Sequence, residues 1–115
     1  MEAKELMIGD KVMVKVLSQI PDTYVLHTWT ANDYSRDLQV KPIPLTPEIL
    51  EKNGWWFDMD MWYHEEVNFC IEKWDGRFQC YDINQIKLDS VHKLQHVLRL
   101  CGLNELADNF KVYEE

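Results

Sequence analysis

Val12, Val14 and Val16 alternate with Lys11, Met13 and Lys15. This period of two predicts a strand over about 11–17, with one face buried and the other wet. Gly9-Asp10 supplies turn chemistry before it, and Pro21-Asp22 after it. Thr23 to Thr30 is again rich in β-formers and ends at the polar Ala31-Asn32-Asp33, and Asp37 to Lys41 gives a third strand. Short antiparallel strands at this spacing imply a small sheet or an SH3-like half-barrel.

Lys41-Pro42-Ile43-Pro44-Leu45 must be extended, because each proline fixes its own φ and drives the preceding residue out of the helical region. Thr46 then reads as an N-cap, with Pro47 at the first helical position, Glu48 favourable to the helix dipole and Leu45 placed to staple onto Leu50. Asn53-Gly54 stops that helix. From Trp55 onward the period returns to two. Continuous alternation puts Phe57, Met59, Met61 and Tyr63 on one face and Trp56, Asp58, Asp60 and Trp62 on the other. The alternative is a turn at Asp58 to Asp60 between two shorter strands.

Asp75-Gly76, between Val67 to Trp74 and Arg77 to Ile83, is the strongest hairpin signal in the chain. A two-residue turn sets Ile71 opposite Cys80 and mixes polar with apolar groups on both faces. A three-residue loop with Gly76 in a bulge instead pairs Val67 with Ile83, Phe69 with Tyr81 and Cys70 with Cys80, and its mostly apolar face makes it the expected form. Farther on, Asp89-Ser90 caps a helix over Val91 to Cys101, in which Val91, Leu94, Leu98 and Cys101 recur at helical steps. Gly102 ends it and lets Leu103 fold back on Leu98, while His92, Gln95, His96 and Arg99 lie on or beside the opposite face. Phe110 to Tyr113 reads as a last strand. The sum is a single α+β domain over 1–115, with one core: an N-terminal β subregion over 1–41, then helix, meander and helix over 42–115.

Composition narrows what such a domain does. Its 115 residues carry 12 Lys plus Arg against 20 Asp plus Glu, a net charge of -8. Residues 47–84 hold 3 basic and 9 acidic side chains, and so most of the excess. Phosphate backbones repel such a field, and Lys4, Lys11, Lys15, Arg36 and Lys41 are the only basic groups of the N-terminal half-barrel, which disfavours nucleic acid. Apolar runs stop at three residues, far below the roughly 20 needed to span a bilayer. The start has neither the basic nor the apolar stretch of a secretory signal, so the chain is expected in the cytoplasm. Cys70, Cys80 and Cys101 form no C-x-x-C and read as buried, reduced thiols.

Candidate chemistry is sparse. His92 and His96 have the i, i+4 spacing of a metal pair, but Lys93 stands where a hydrolase needs Glu and no third ligand is evident, so no metal or other cofactor is expected. Asp58, Asp60, Glu65 and Glu66 among Trp56, Trp62 and His64 resemble the carboxylates of a sugar site, yet outward alternation predicts solvated acids. Ser18, Ser35 and Ser90 lie in no nucleophile elbow, and the chain reads as non-catalytic. What stands out is Trp55, Trp56, Trp62 and Trp74 near Asp58 and Asp60: either the C-terminal helix covers this face and all four are ordinary core, or Trp56, Trp62 and Trp74 emerge beside the two carboxylates. Exposed aromatics ringed by carboxylates make a recognition surface, for a protein partner or a second copy of the chain, with small-molecule or carbohydrate binding as the alternative and an SH3-like nucleic-acid module as a second one.

The string Lys41-Pro42-Ile43-Pro44-Leu45-Thr46-Pro47-Glu48-Ile49-Leu50-Glu51-Lys52-Asn53-Gly54, followed by Val91-His92-Lys93-Leu94-Gln95, resembles a widespread group of small proteins of no assigned activity. They are encoded by phages, prophages and gut-type bacteria. Their opening Leu-x-Ile-Gly-x-x-Val is similar to Leu6 to Val12 here, and their closing Gly-x-Glu-Leu to Gly102-Leu103-Asn104-Glu105-Leu106, which is one residue longer. The resemblance implies a phage-associated accessory protein and brings no site residue with it.

Overall fold

The computed structural model describes residues 5–16, 24–35, 38–74, 77–80 and 87–112. Pro21-Asp22, Asp37, Asp75-Gly76, Tyr81, Ile83 and Tyr113 lie outside the described residues, as does the side chain of Trp74.

The valine alternation forms β1 (Lys11–Val16), which pairs antiparallel with both β2 (Val25–Thr28) and β3 (Leu38–Lys41) in the order β2-β1-β3. Ala31–Ser35 makes a short 3-10 turn between them. Val12 and Val14 project to one side and meet Leu6, Trp29, Leu38 and Val40, while Met13 and Leu26 project to the other and meet the main core. The sheet thus separates two buried clusters where one was expected, because both of its faces carry apolar side chains. Gly9 shapes the turn before β1: its φ of 96° is one an L side chain resists, and an added Cβ would lie 2.7 Å from Arg99 Nη2.

α1 (Pro47–Lys52) begins as its sequence dictates, with the Ile49 amide donating to Thr46 Oγ1 at 3.2 Å. Asn53 caps it and sews the tail to it, donating to the Ile49 and Lys111 carbonyls and accepting from the Lys111 amide. Four antiparallel strands follow in the order β4-β5-β6-β7: β4 (Trp56–Asp58), β5 (Met61–Tyr63), β6 (Ile71–Trp74) and β7 (Arg77–Cys80). The β6–β7 register pairs Ile71 with Cys80, so the expected bulge and the Cys70–Cys80 pairing are incorrect. Register is fixed by the third strand, where Ile71 must also oppose Trp62 so that both lie in the core. The mixed face this creates is tolerable because Lys73, opposite Phe78, lays its ammonium 5.9 Å from the Phe78 ring centroid and reaches solvent.

α2 (Val91–Leu100) and α3 (Asn104–Asp108) complete the chain. Gly102, at φ 80°, closes α2 with the expected back-bonds: the Leu103 amide donates to the Leu98 carbonyl at 2.9 Å and the Gly102 amide to Arg99 at 3.0 Å. α3 is an element absent from the expected order; Leu106 and Ala107 supply its inner face, with Leu103 and Phe110 packing on the same core from just outside its ends. In place of a final strand, Phe110 and Val112 reach the core from irregular backbone. Cys101 is exposed, contrary to expectation, because α2 ends one residue before it; Cys80 alone of the three thiols is fully buried. Among the described residues no helix is long and apolar enough to cross a membrane.

Candidate functional site

The aromatic acidic segment is a hairpin with a tight turn at Met59-Asp60. Trp56 pairs with Tyr63, Phe57 with Trp62 and Asp58 with Met61, leaving two loop residues, both at positive φ (48° and 71°). That is the geometry of a type I′ turn. A two-residue loop reverses the phase of alternation, so continuous alternation from Trp55 to Tyr63 gives way to the alternative reading, a turn between two shorter strands. Trp56, Asp58, Met61 and Tyr63 share the outer face, while Phe57 and Trp62 share the inner one.

This decides the fate of each anticipated site residue. Trp62 is only 6% exposed and belongs to the core, so it is not an outward platform. Trp56 is 49% exposed and stacks on Tyr63 at 6.2 Å between ring centroids. Asp58 and Asp60 are exposed as expected. Phe57 and Met59, expected inside, are 55% and 85% exposed. Phe57 tilts against the Trp62 ring at 5.4 Å, so the buried indole forms the floor on which the exposed ring rests. The Asp-x-Asp pair carries the signal for the turn alternative, since short polar side chains suit a turn better than a strand.

Beside the hairpin a cleft of about 760 Å³ is lined by Pro47, Phe57, Met61 and Trp62, with Asp60, Glu72 and Lys73 at its polar edges. Its walls come from α1, β4, the turn, β5 and β6. His64 anchors the hairpin to α1: its Nδ1 accepts from the Glu66 amide, which leaves Nε2–H to donate to the Asn53 carbonyl at 2.9 Å. Glu48, Glu51, Asp58, Asp60, Glu65 and Glu66 are exposed, and among the described residues none has an ion-pair partner. These six carboxylates are therefore not neutralised by ion pairs within the described fold.

The polar face of α2 is not a solvent face. Gln95 is buried and takes part in three hydrogen bonds, accepting from the Lys11 amide at 2.8 Å and donating to the Gly9 and Ala107 carbonyls. Asp10, 0% exposed, accepts from His96 Nε2 and Arg99 Nη1, each at 2.5 Å, and from the Met7 amide at 2.8 Å. Burial alone would raise the Asp10 carboxyl, but His96, the Met7 amide and Arg99 together hold it below the ordinary aspartate value. His92 is buried against the Ser90 hydroxyl, its Nδ1 at 3.2 Å, and burial pushes its imidazole below the ordinary histidine value. That contact occupies the hydroxyl expected to cap α2, and no side-chain cap bond forms there. The two histidines thus serve different neighbours, and among the described residues no group of three His, Cys, Asp or Glu side chains is disposed to hold a metal ion.

A smaller cavity of about 230 Å³ lies at the start of α2, between Pro42 and Pro44 and the Asp89–Lys93 ion pair. Ser90 and His92 line it, but both are buried and turned to each other. Comparison of the chain with protein-family models, with curated proteins and with solved structures finds no match.

Proposed function

We propose that this chain is a non-catalytic binding domain whose β4–β5 hairpin and adjoining cleft dock a basic, partly apolar segment of a partner protein. The observation that carries the reading is the exposure of Trp56, Phe57 and Met59 together on one hairpin, flanked by Asp58 and Asp60. Large exposed apolar side chains cost solubility and add nothing to the core, so their clustering favours an interface. The surrounding carboxylates without ion-pair partners among the described residues favour Lys and Arg on the other side. A sugar platform is less well supported, because Trp62 is buried and Trp56 remains the one indole seen exposed among the described residues. Self-association sets two charges of -8 against each other. The resemblance to phage-encoded proteins fits an accessory role of this kind.

The test is a fluorescence titration with blocked peptides pairing Arg or Lys with Leu, Ile or Phe, beside the same peptides with Glu for every cation. The cationic set is expected to bind with roughly micromolar Kd, more weakly at high salt, and to lose affinity in Phe57→Ala and Met59→Ala. Equal binding by the Glu set, or indifference to both substitutions, would refute the proposal.

A further inference from the structure

From the register of the hairpin we infer that β4 is an acceptor edge, to which an extended basic segment of the partner adds as a fifth, antiparallel strand of the meander. This rests on the docking role proposed above and specifies how the partner is held. In a two-residue hairpin the residues flanking the loop exchange both backbone hydrogen bonds, and successive pairs alternate in kind. Asp58 with Met61 is therefore a hydrogen-bonded pair, as is Trp56 with Tyr63, whereas Phe57 with Trp62 is not. The Phe57 N–H and C=O consequently point away from β5. No other described strand pairs with β4, and among the described residues no hydrogen bond engages the Phe57 backbone on that side.

The charge of this edge selects its occupant. The far edge of the same sheet, β7, already bridges at Gln79 to Lys87, and in the other sheet the β3 edge ends in Lys41, whose ammonium sits 5.5 Å from the Tyr24 ring. β4 instead carries Asp58 and adjoins Asp60, so it repels acidic strands and a second copy of itself while attracting Lys and Arg. Pleating then dictates an alternating pattern in the guest. The residue opposite Phe57 shares its face and lies toward the Phe57–Trp62 side of the cleft, so it is apolar. The residues on either side fall beside Trp56 and Asp58, where a guanidinium can lie over the indole and pair with the carboxylate.

A blocked heptapeptide alternating Arg and Val tests the geometry. In an antiparallel addition the valine opposite Phe57 exchanges both hydrogen bonds with it, while the arginine amides point outward. N-methylation of the valine amides is expected to weaken binding by about tenfold or more, and N-methylation of the arginine amides to leave it nearly unchanged. Hydrogen exchange at the Phe57 amide should slow in the parent complex. Equal binding by both methylated peptides with unchanged Phe57 exchange overturns strand addition and leaves side-chain docking standing. Loss on arginine methylation alone overturns the antiparallel register. Failure of the alternating peptide while other cationic peptides bind overturns the edge, and failure of every cationic peptide overturns the docking role as well.

Discussion

Replacing Met59-Asp60 by Asn-Gly should make this protein more stable and a poorer binder. Both loop residues adopt positive φ, at 48° and 71°. A left-handed conformation costs an ordinary L residue roughly 1–2 kcal/mol, somewhat less for Asp, whose side chain bonds locally. Met59 is 85% exposed, so removing its side chain forfeits less than about 1 kcal/mol of burial. Gly at position 60 returns about 0.5–1 kcal/mol to the unfolded chain as entropy. The net expectation is a gain of about 1 kcal/mol, or about 4 °C in Tm for a domain of this length. Urea unfolding followed by circular dichroism reads it as a higher midpoint at constant slope. The same variant lacks an exposed apolar group and a carboxylate, so its affinity for cationic peptides should fall. A lower midpoint would refute the assignment of strain to this turn; a higher midpoint with unaltered affinity would show that the strain serves something other than docking.

Asp10→Ala leaves Arg99 and His96 without their buried acceptor and should cost about 3–5 kcal/mol by thermal or urea unfolding, with Asp10→Asn losing less because it still accepts from Met7. Because folding lowers the pKa of both His92 and Asp10, the unfolded chain binds more protons on the acid side of each ordinary value. Wild-type stability should therefore decline as pH falls below 6.5, where buried neutral His92 resists protonation, and decline again below 3.8 as Asp10 protonates; a flat profile across both windows would contradict these assignments. Trp62→Ala should cost about 3–5 kcal/mol, as a large buried ring removed from the core does, whereas Trp56→Ala, which removes a half-exposed ring stacked on Tyr63, should cost about 1–2 kcal/mol and act on peptide affinity. Comparable stability losses in the two variants would overturn the division between floor and surface.

Elements whose signals are local were legible before any coordinates. β1 follows from three alternating valines, α1 from Thr46-Pro47 and Asn53-Gly54, and the end of α2 from Gly102, since each is set by φ preferences and hydrogen bonds within a few residues. The concentration of acid and tryptophan in residues 47–84 was equally plain. Which tryptophan faces water was not. One residue more or less in a turn inverts every side chain beyond it, so the fate of Trp62 depended on whether Met59-Asp60 forms a loop, and that is settled by the burial of Trp62 and Ile71 against the helices. The β6–β7 register is hidden from the hairpin's own sequence for the same reason, because the deciding neighbour lies on β5. The partners of the polar face of α2 were not readable either, because nothing near it in sequence announces that Asp10, more than eighty residues earlier, completes its hydrogen bonds. Periodicity and caps specify the pieces, but the sign of a face depends on what packs against it, and distant parts of the chain supply that.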